Sequence, residues 1–378
     1  GLTYAILFLG ILSIHEFGHY YFAKRNNVDA SLPYYLPMYL PGIPSIGTFG
    51  AFIRMKSLVF SKRGIFDIGI AGPLAGFAAA LLVLTYGFAT LPEKEYIYSV
   101  HPDYAAFQGD YDNHVYTYEY LKHSSDSIID RRYEEDSLKY LTKHATDSFL
   151  KKPVKEEYKK EFIELATGKN ILFWLFEKIF AYQGEKIPNS YEMFHYPFLF
   201  AGYLALFFTA LNLMPIGQLD GGHVIYGLFG YEKHKKISVV IFILFIGIGG
   251  VGVFKDNLLG VNFFMSGFAE QIEFTIIYIS FLCFLFGKIF QKFLDMLLIA
   301  VIVFSVHFLV EFLLPDITGF HGWFIYALLI GRFIGVSHPQ ALDESPLDMK
   351  RKIIGWISLV IFILCFTPEV LTFETITK

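Results

Sequence analysis

Apolar residues along this chain come in long runs rather than in the short periodic patches of a soluble protein. A membrane crossing needs about 20 mostly apolar residues. Residues 2–23 form one such run, ended by Lys24 and Arg25, and residues 68–91 pass without a charge. Residues 196–216 and 237–254 follow, and shorter runs lie at 274–287, 296–310, 323–330 and 353–368. Read together, they predict about eight transmembrane helices. Between the second and third runs lies a polar block, 92–190, with a Tyr-rich stretch at 104–120 and an expected helix near 148–166. Between the first two runs, Pro33, Pro37, Pro41 and Pro44 forbid a long helix. Residues 47–57 then predict a short extended hairpin, apolar enough to enter the bilayer and packed against the helices.

Composition agrees with a membrane class. Of the 378 residues 54% are hydrophobic, 42 are Phe and only 17% are charged, against roughly 25% in an average soluble domain. Mean hydropathy is +0.46. An ordinary soluble enzyme and a disordered chain are both excluded. Charge is concentrated: residues 91–190 hold 14 basic and 18 acidic side chains, and their excess equals the whole chain's net charge of −4. No basic cluster suggests a nucleic-acid partner.

The basic residues also orient the helices. Loop 24–63 carries Lys24, Arg25, Arg54, Lys56, Lys62 and Arg63 against Asp29, so it is expected on the cytoplasmic side. Alternation puts 92–190 outside and returns Lys233, Lys288, Arg332 and Arg351 to the cytoplasm. The expected fold is therefore an all-α polytopic membrane protein of about eight helices, with a short membrane-associated β-hairpin and one extramembrane insertion. Its expected divisions are 1–91, the insertion 92–190, a second core segment 191–236, and further helices over 237–378. Cys283 and Cys365 lie in apolar runs and read as packing residues. The first residue is Gly1 rather than Met, so further sequence is expected upstream, and no cleavable signal peptide is recognisable.

The first run contains His15-Glu16-Phe17-Gly18-His19. Positions i and i+4 share a helix face, so both imidazoles can reach one metal ion while Glu16 takes a proton from water. With 12 His and 35 acidic residues, chance supplies about 0.03 such patterns per chain. His15 precedes Lys24 by nine positions, about 14 Å of helix, a depth at which ionisable groups are costly unless a partner offsets them. A catalytic zinc wants a third protein ligand. The candidate is Asp220, in Asn212-Leu-Met-Pro-Ile-Gly-Gln-Leu-Asp220-Gly-Gly, which ends a run on the same side as His15.

With both motifs in view, the chain resembles the site-2 protease family of intramembrane zinc metalloproteases. The resemblance rests on His15-Glu-Phe-Gly-His19, on Asn212-x-x-Pro215-x-x-x-Leu219-Asp220-Gly221, and on Ala71-Gly-Pro-Leu-Ala-Gly76 between them. The tail adds His338-Pro339 and Pro346-Leu-Asp-x-x-Arg351, similar to bacterial and plastid members. The resemblance implies one Zn2+ held by His15, His19 and Asp220, with Glu16 as general base and Asn212 near the scissile carbonyl. It further implies a single-span membrane protein as substrate, already trimmed by an upstream site-1-type protease. Gly50, Ala51, Phe52 and Ile53 of the hairpin are expected to hold an unwound substrate by strand addition. A bacterial cell membrane fits, with a plastid membrane as the alternative. The rival reading is a membrane metal-ion transporter or another non-proteolytic metal-binding membrane protein.

Other candidates are read as structural. Gly69, Gly72 and Gly76 suit close helix packing. Asp67 reads as a helix cap or interface charge. His101, His114, His123, His144, His307 and His321 lack ligand spacing and are not expected on zinc, and Glu311 is expected to reach the membrane interface.

Overall fold

The computed structural model describes residues 1–37, 48–143, 163–255, 262–315, 317 and 319–375. It is mostly helical and divides into two compact units. The first unit comprises 1–88, 169–179 and 197–370, and the second 89–168, 180–196 and 371–378.

The first unit holds α1 (Leu2–Arg25), α2 (Lys62–Ala89) and a small antiparallel sheet between them, β1 (Tyr34–Pro37) and β2 (Thr48–Phe52). After the segments of the second unit come α5 (Ile171–Ile179), α6 (Pro197–Leu213), α7 (Asp220–Phe229) and α8 (Tyr231–Gly249). α9 (Phe268–Phe286), α10 (Phe293–Leu313), α11 (Gly322–Leu328, continued by a π-turn Leu329–Ile334) and α12 (Met349–Cys365) complete it. Helices thus occupy all eight segments expected to be apolar spans. Among the described residues, four are long and apolar enough by themselves to cross a membrane: α1, α2, α9 and α10. Phe8, Phe66, Tyr203, Tyr226, Phe242 and Trp323 are buried in this unit. Its outer faces stay apolar: Ile6, Leu9 and Phe17 of α1, Leu298 and Leu309 of α10, and Ile353, Ile357 and Val360 of α12 are exposed. Such continuous apolar surface suits lipid as solvent, and the chain is an integral membrane protein.

The hairpin differs from expectation. Only one strand lies within 47–57, and its partner is β1, with Tyr34 opposite Phe52 and Leu36 opposite Gly50. Proline is tolerated on an edge strand, where its missing N–H is not needed, so the proline-rich segment supplies the pairing strand. The intervening residues 38–47 lie outside the described ones.

Two ionisable side chains of the first unit also have partners that were not foreseen. Glu311 is 1% exposed and accepts backbone N–H groups of Gly252 (2.9 Å) and Phe254 (3.1 Å), the turn that follows α8. Asp67 is not a helix cap: it lies inside α2, and Arg351 grips it through two parallel hydrogen bonds of 2.7 Å each. Asp348 caps α12 by accepting the Arg351 N–H, and it pairs with the same guanidinium. The tail motif Pro346-Leu-Asp-x-x-Arg351 is thus the clamp that seats α12 on α2.

In the second unit, 3-10 turns at Lys94–Ser99 and Pro102–Asp110 lead to α3 (Asp112–Val115) and α4 (Tyr118–Lys143), a 26-residue helix. β3 (Ile163–Thr167) pairs antiparallel with β4 (Leu371–Thr375). The helix expected near 148–166 is therefore a strand over its last residues, and 144–162 lie outside the described ones. Turns at Ala181–Lys186 and Met193–His195 close this unit. Burial, reinforced by the Glu192 carboxylate that accepts its hydrogen bond, pushes the Tyr116 hydroxyl pKa up.

Candidate metal centre

α1 presents His15, Glu16 and His19 on its buried side, 5–7% exposed. No acid sits in its first turn, and Lys24 and Arg25 complement the helix dipole in its last. One turn of helix separates the two imidazoles, and their Nε2 atoms stand 3.0 Å apart. α2 crosses close behind: a Cβ at Gly18 would lie 2.6 Å from the Ala71 carbonyl oxygen. The glycines of α2 have a further use at this crossing. A Cβ at Gly72 would fall 2.1 Å from His19 Nε2, and one at Gly76 would fall 3.1 Å from His15 Nδ1. They leave the room that the two rings occupy.

Asp220 arrives from far along the chain. α6 stops at Leu213, and the backbone reverses through a turn in which Gly217 has φ +56°, a conformation natural to glycine. Ser238 Oγ accepts the Gly217 N–H at 3.2 Å, which fixes the turn to α8. α7 then begins at Asp220. Its Oδ2 lies 3.5 Å from His15 Nε2 and 3.2 Å from His19 Nε2.

His19 Nδ1 donates to the Ile68 carbonyl at 2.7 Å. A carbonyl can only accept, so the ring proton belongs on Nδ1 and the Nε2 lone pair faces the centre. That lone pair meets a carboxylate oxygen and a second imidazole nitrogen. Acceptors this close repel one another unless a proton or a metal ion lies between them. Two nitrogens and one oxygen are a donor set that zinc takes, and they leave one tetrahedral position open. The residues fit the ion on their chemistry as well as their spacing.

Glu16 Oε1 is 4.0 Å from His15 Nε2. The Asn212 amide comes within 3.4 Å of the same nitrogen. All five side chains line one cavity of about 320 Å³, together with Ala51, Phe52 and Ile53 of the β2 segment. Gly50 is not among its lining residues. Gln218 and His223 are, and neither was expected. His223 follows Asp220 by three positions, a spacing that puts both on one helix face, and this was the available signal. It meets His338 of the tail, Nδ1 to Nε2 2.9 Å. His338 stacks on Tyr226 at 4.5 Å, so the His338-Pro339 motif packs beside the centre.

The fold and site define a class: an integral membrane protein with a buried two-histidine, one-carboxylate centre and an adjacent glutamate. The profile of peptidase family M50 matches residues 3–253, and the chain belongs to that family. Relatives include probable zinc metalloprotease EGY1, chloroplastic, of Oryza sativa subsp. japonica, 24% identical over 64% of this chain and 31% of its own length. EGY1 of Arabidopsis thaliana is 25% identical over 61% of this chain and 29% of its own. EGY2 of Arabidopsis thaliana, also named a probable chloroplastic zinc metalloprotease, is 32% identical over a 92-residue stretch. The matched part covers about a third of the length of these EGY1 relatives. No solved structure matches.

Proposed function

We propose that this chain is an intramembrane zinc metalloprotease that hydrolyses a peptide bond within a transmembrane segment. One observation carries the reading: His15 and His19 of the first helix meet Asp220, about 200 positions away, with Glu16 beside them in one cavity. Zinc, when bound there, supplies the Lewis acid that polarises an amide carbonyl and acidifies water. The chain's own groups do the rest. His15, His19 and Asp220 hold the ion. Glu16 accepts a proton from water and returns it to the leaving amine. The Asn212 side-chain amide donates toward the carbonyl oxygen as charge develops on it. Residues 51–53 offer backbone groups to an unwound substrate segment, because a helix hides its amides until it opens.

The remaining expectations belong to the same reading. All eight apolar helices cross the bilayer, the shorter ones within the bundle, and the β1–β2 sheet lies against the membrane. Residues 92–190 face away from the cytoplasm. The substrate is a single-span membrane protein, trimmed beforehand by another protease. The names of the plant relatives support a plastid membrane as fully as compactness supports a bacterial one.

The test uses the full chain in detergent, with a panel of single-span peptides carrying a fluorophore and quencher on either side of the span. Zinc-dependent cleavage of at least one peptide, lost in Glu16→Gln while zinc stays bound, is the expected result. Zinc uptake into vesicles that survives Glu16→Gln, with no peptide cut, would replace this reading by the transporter.

A further inference from the structure

A second convergence of metal-binding side chains lies wholly within the second unit. His101, Glu192 and His195 bring three donor atoms together. The two Nε2 atoms are 3.1 Å apart, and Glu192 Oε2 stands 3.5 Å from His101 Nε2 and 3.6 Å from His195 Nε2. We propose that these three residues form a second divalent-metal site, one for an ion of the zinc class.

Three observations carry it. The first is spacing. Zinc ligands at 2.0–2.2 Å in a tetrahedron are about 3.4 Å from one another, and the three separations bracket that value. The His15, His19 and Asp220 donors, at 3.0, 3.2 and 3.5 Å, do the same.

The second is a carboxylate oxygen in need of a cation. Glu192 is 2% exposed, and its Oε1 accepts the Tyr116 hydroxyl at 2.5 Å. Its Oε2 is buried and accepts no hydrogen bond among the described residues. A buried charged oxygen without a partner is costly. A shared imidazolium proton would be the simpler remedy, but it would draw one nitrogen to about 2.7–2.9 Å. Neither nitrogen comes that close. Both stand back at nearly equal distances, as donors around an ion do.

The third is preparation of the ligands. His195 sits one short turn after Glu192, and its carbonyl accepts the Tyr96 hydroxyl at 3.1 Å. The backbone N–H of His101 donates to the Ile97 carbonyl at 2.8 Å, and the imidazole ring stacks on Tyr104 at 4.7 Å. Both imidazoles are about one-third exposed, so water can complete the coordination. Imidazole and carboxylate together favour zinc, copper, nickel or iron over calcium or magnesium. An ion here would tie residues 94–110 to residues 181–195, which belong to two separate segments of this unit, and would stabilise it by mass action. The separation of 91 positions from His101 to Glu192 explains why no local motif announces the site.

The test takes the full chain in detergent, stripped with chelator and titrated with Zn2+. Bound metal and melting temperature are read together. Wild type should bind two ions per chain, with saturable binding that reaches two equivalents. Glu192→Gln keeps an acceptor for Tyr116 and should lose one ion. His101→Ala, at a one-third-exposed position, should lose the same ion. In Asp220→Ala, zinc should still raise the melting temperature, and adding Glu192→Gln should abolish that shift. Wild-type zinc content in both Glu192→Gln and His101→Ala would overturn the site. So would a wild type that binds only one ion, lost with Asp220→Ala. Peptide hydrolysis is not read, so failure of the protease proposal would leave this one standing.

Discussion

Replacing Gly72 by alanine adds a single carbon, yet it should damage the metal centre more than any other one-carbon change in α2. The new Cβ would lie 2.1 Å from His19 Nε2, 2.4 Å from its Cδ2 and 2.6 Å from its Cε1. Non-bonded atoms rest comfortably at about 3.5–4.0 Å, so the ring or the helix must retreat by more than about 1 Å. Retreat of the ring breaks its bond to the Ile68 carbonyl. Retreat of the helix opens the close crossing at Gly18 and Ala71. Overpacking of this kind costs about 1–3 kcal/mol of stability. Loss of a ligand's orienting partner lowers metal affinity by about 10–100-fold, and a 1 Å misplacement of a reacting group lowers turnover by about 100-fold. Glycines of graded clearance calibrate the result. A Cβ at Gly76 would meet His15 atoms at 3.1 Å, whereas one at Gly10 would meet nothing within 4 Å. Zinc titration of the three detergent-purified variants should rank affinity as Gly10→Ala, then Gly76→Ala, then Gly72→Ala, with the first equal to wild type. A folded Gly72→Ala protein that binds zinc with wild-type affinity would refute the packing argument.

Glu16→Gln should retain zinc by metal analysis and lose about 100–10,000-fold in hydrolysis, the worth of a general base. Asn212→Ala should retain zinc and fold while lowering kcat about 100-fold with little change in KM, as for a donor that acts on developing charge. Asp67→Asn should lower stability by about 1–2 kcal/mol, discounted because the Arg351 side chain is 34% exposed. Thermal unfolding in detergent measures that loss, and Arg351→Lys should not rescue the clamp, because an ammonium cannot make the two parallel bonds.

Legibility in the sequence followed the distance over which each contact is made. His15, Glu16 and His19 lie within one helical turn and could be read directly, as could the polar block and the positions of the apolar helices. Asp220 was reachable because a turn sequence marked it. The β1 strand was hidden because proline argues against pairing wherever the edge position is unknown. The partners of Glu311 were hidden because they are backbone amides, which carry no side-chain signature. The partnership of Asp67 with Arg351 joins positions 284 apart, and the pairing of His101 with Glu192 joins two separate segments of the second unit. Neither has a spacing to read.

The small residues of α2 show where the two kinds of information meet. Gly69, Gly72 and Gly76 look like a lipid-phase packing motif, and α1 does approach closely there. Close approach, however, brings a helix backbone to the place where two imidazoles must turn toward Asp220. A Cβ at Gly69 would fall 2.5 Å from His223, just as one at Gly72 would strike His19. The same absence of side chains therefore serves helix packing and the metal centre together. A packing motif and a site motif need not be alternatives when a close helix crossing is also where the ligands converge.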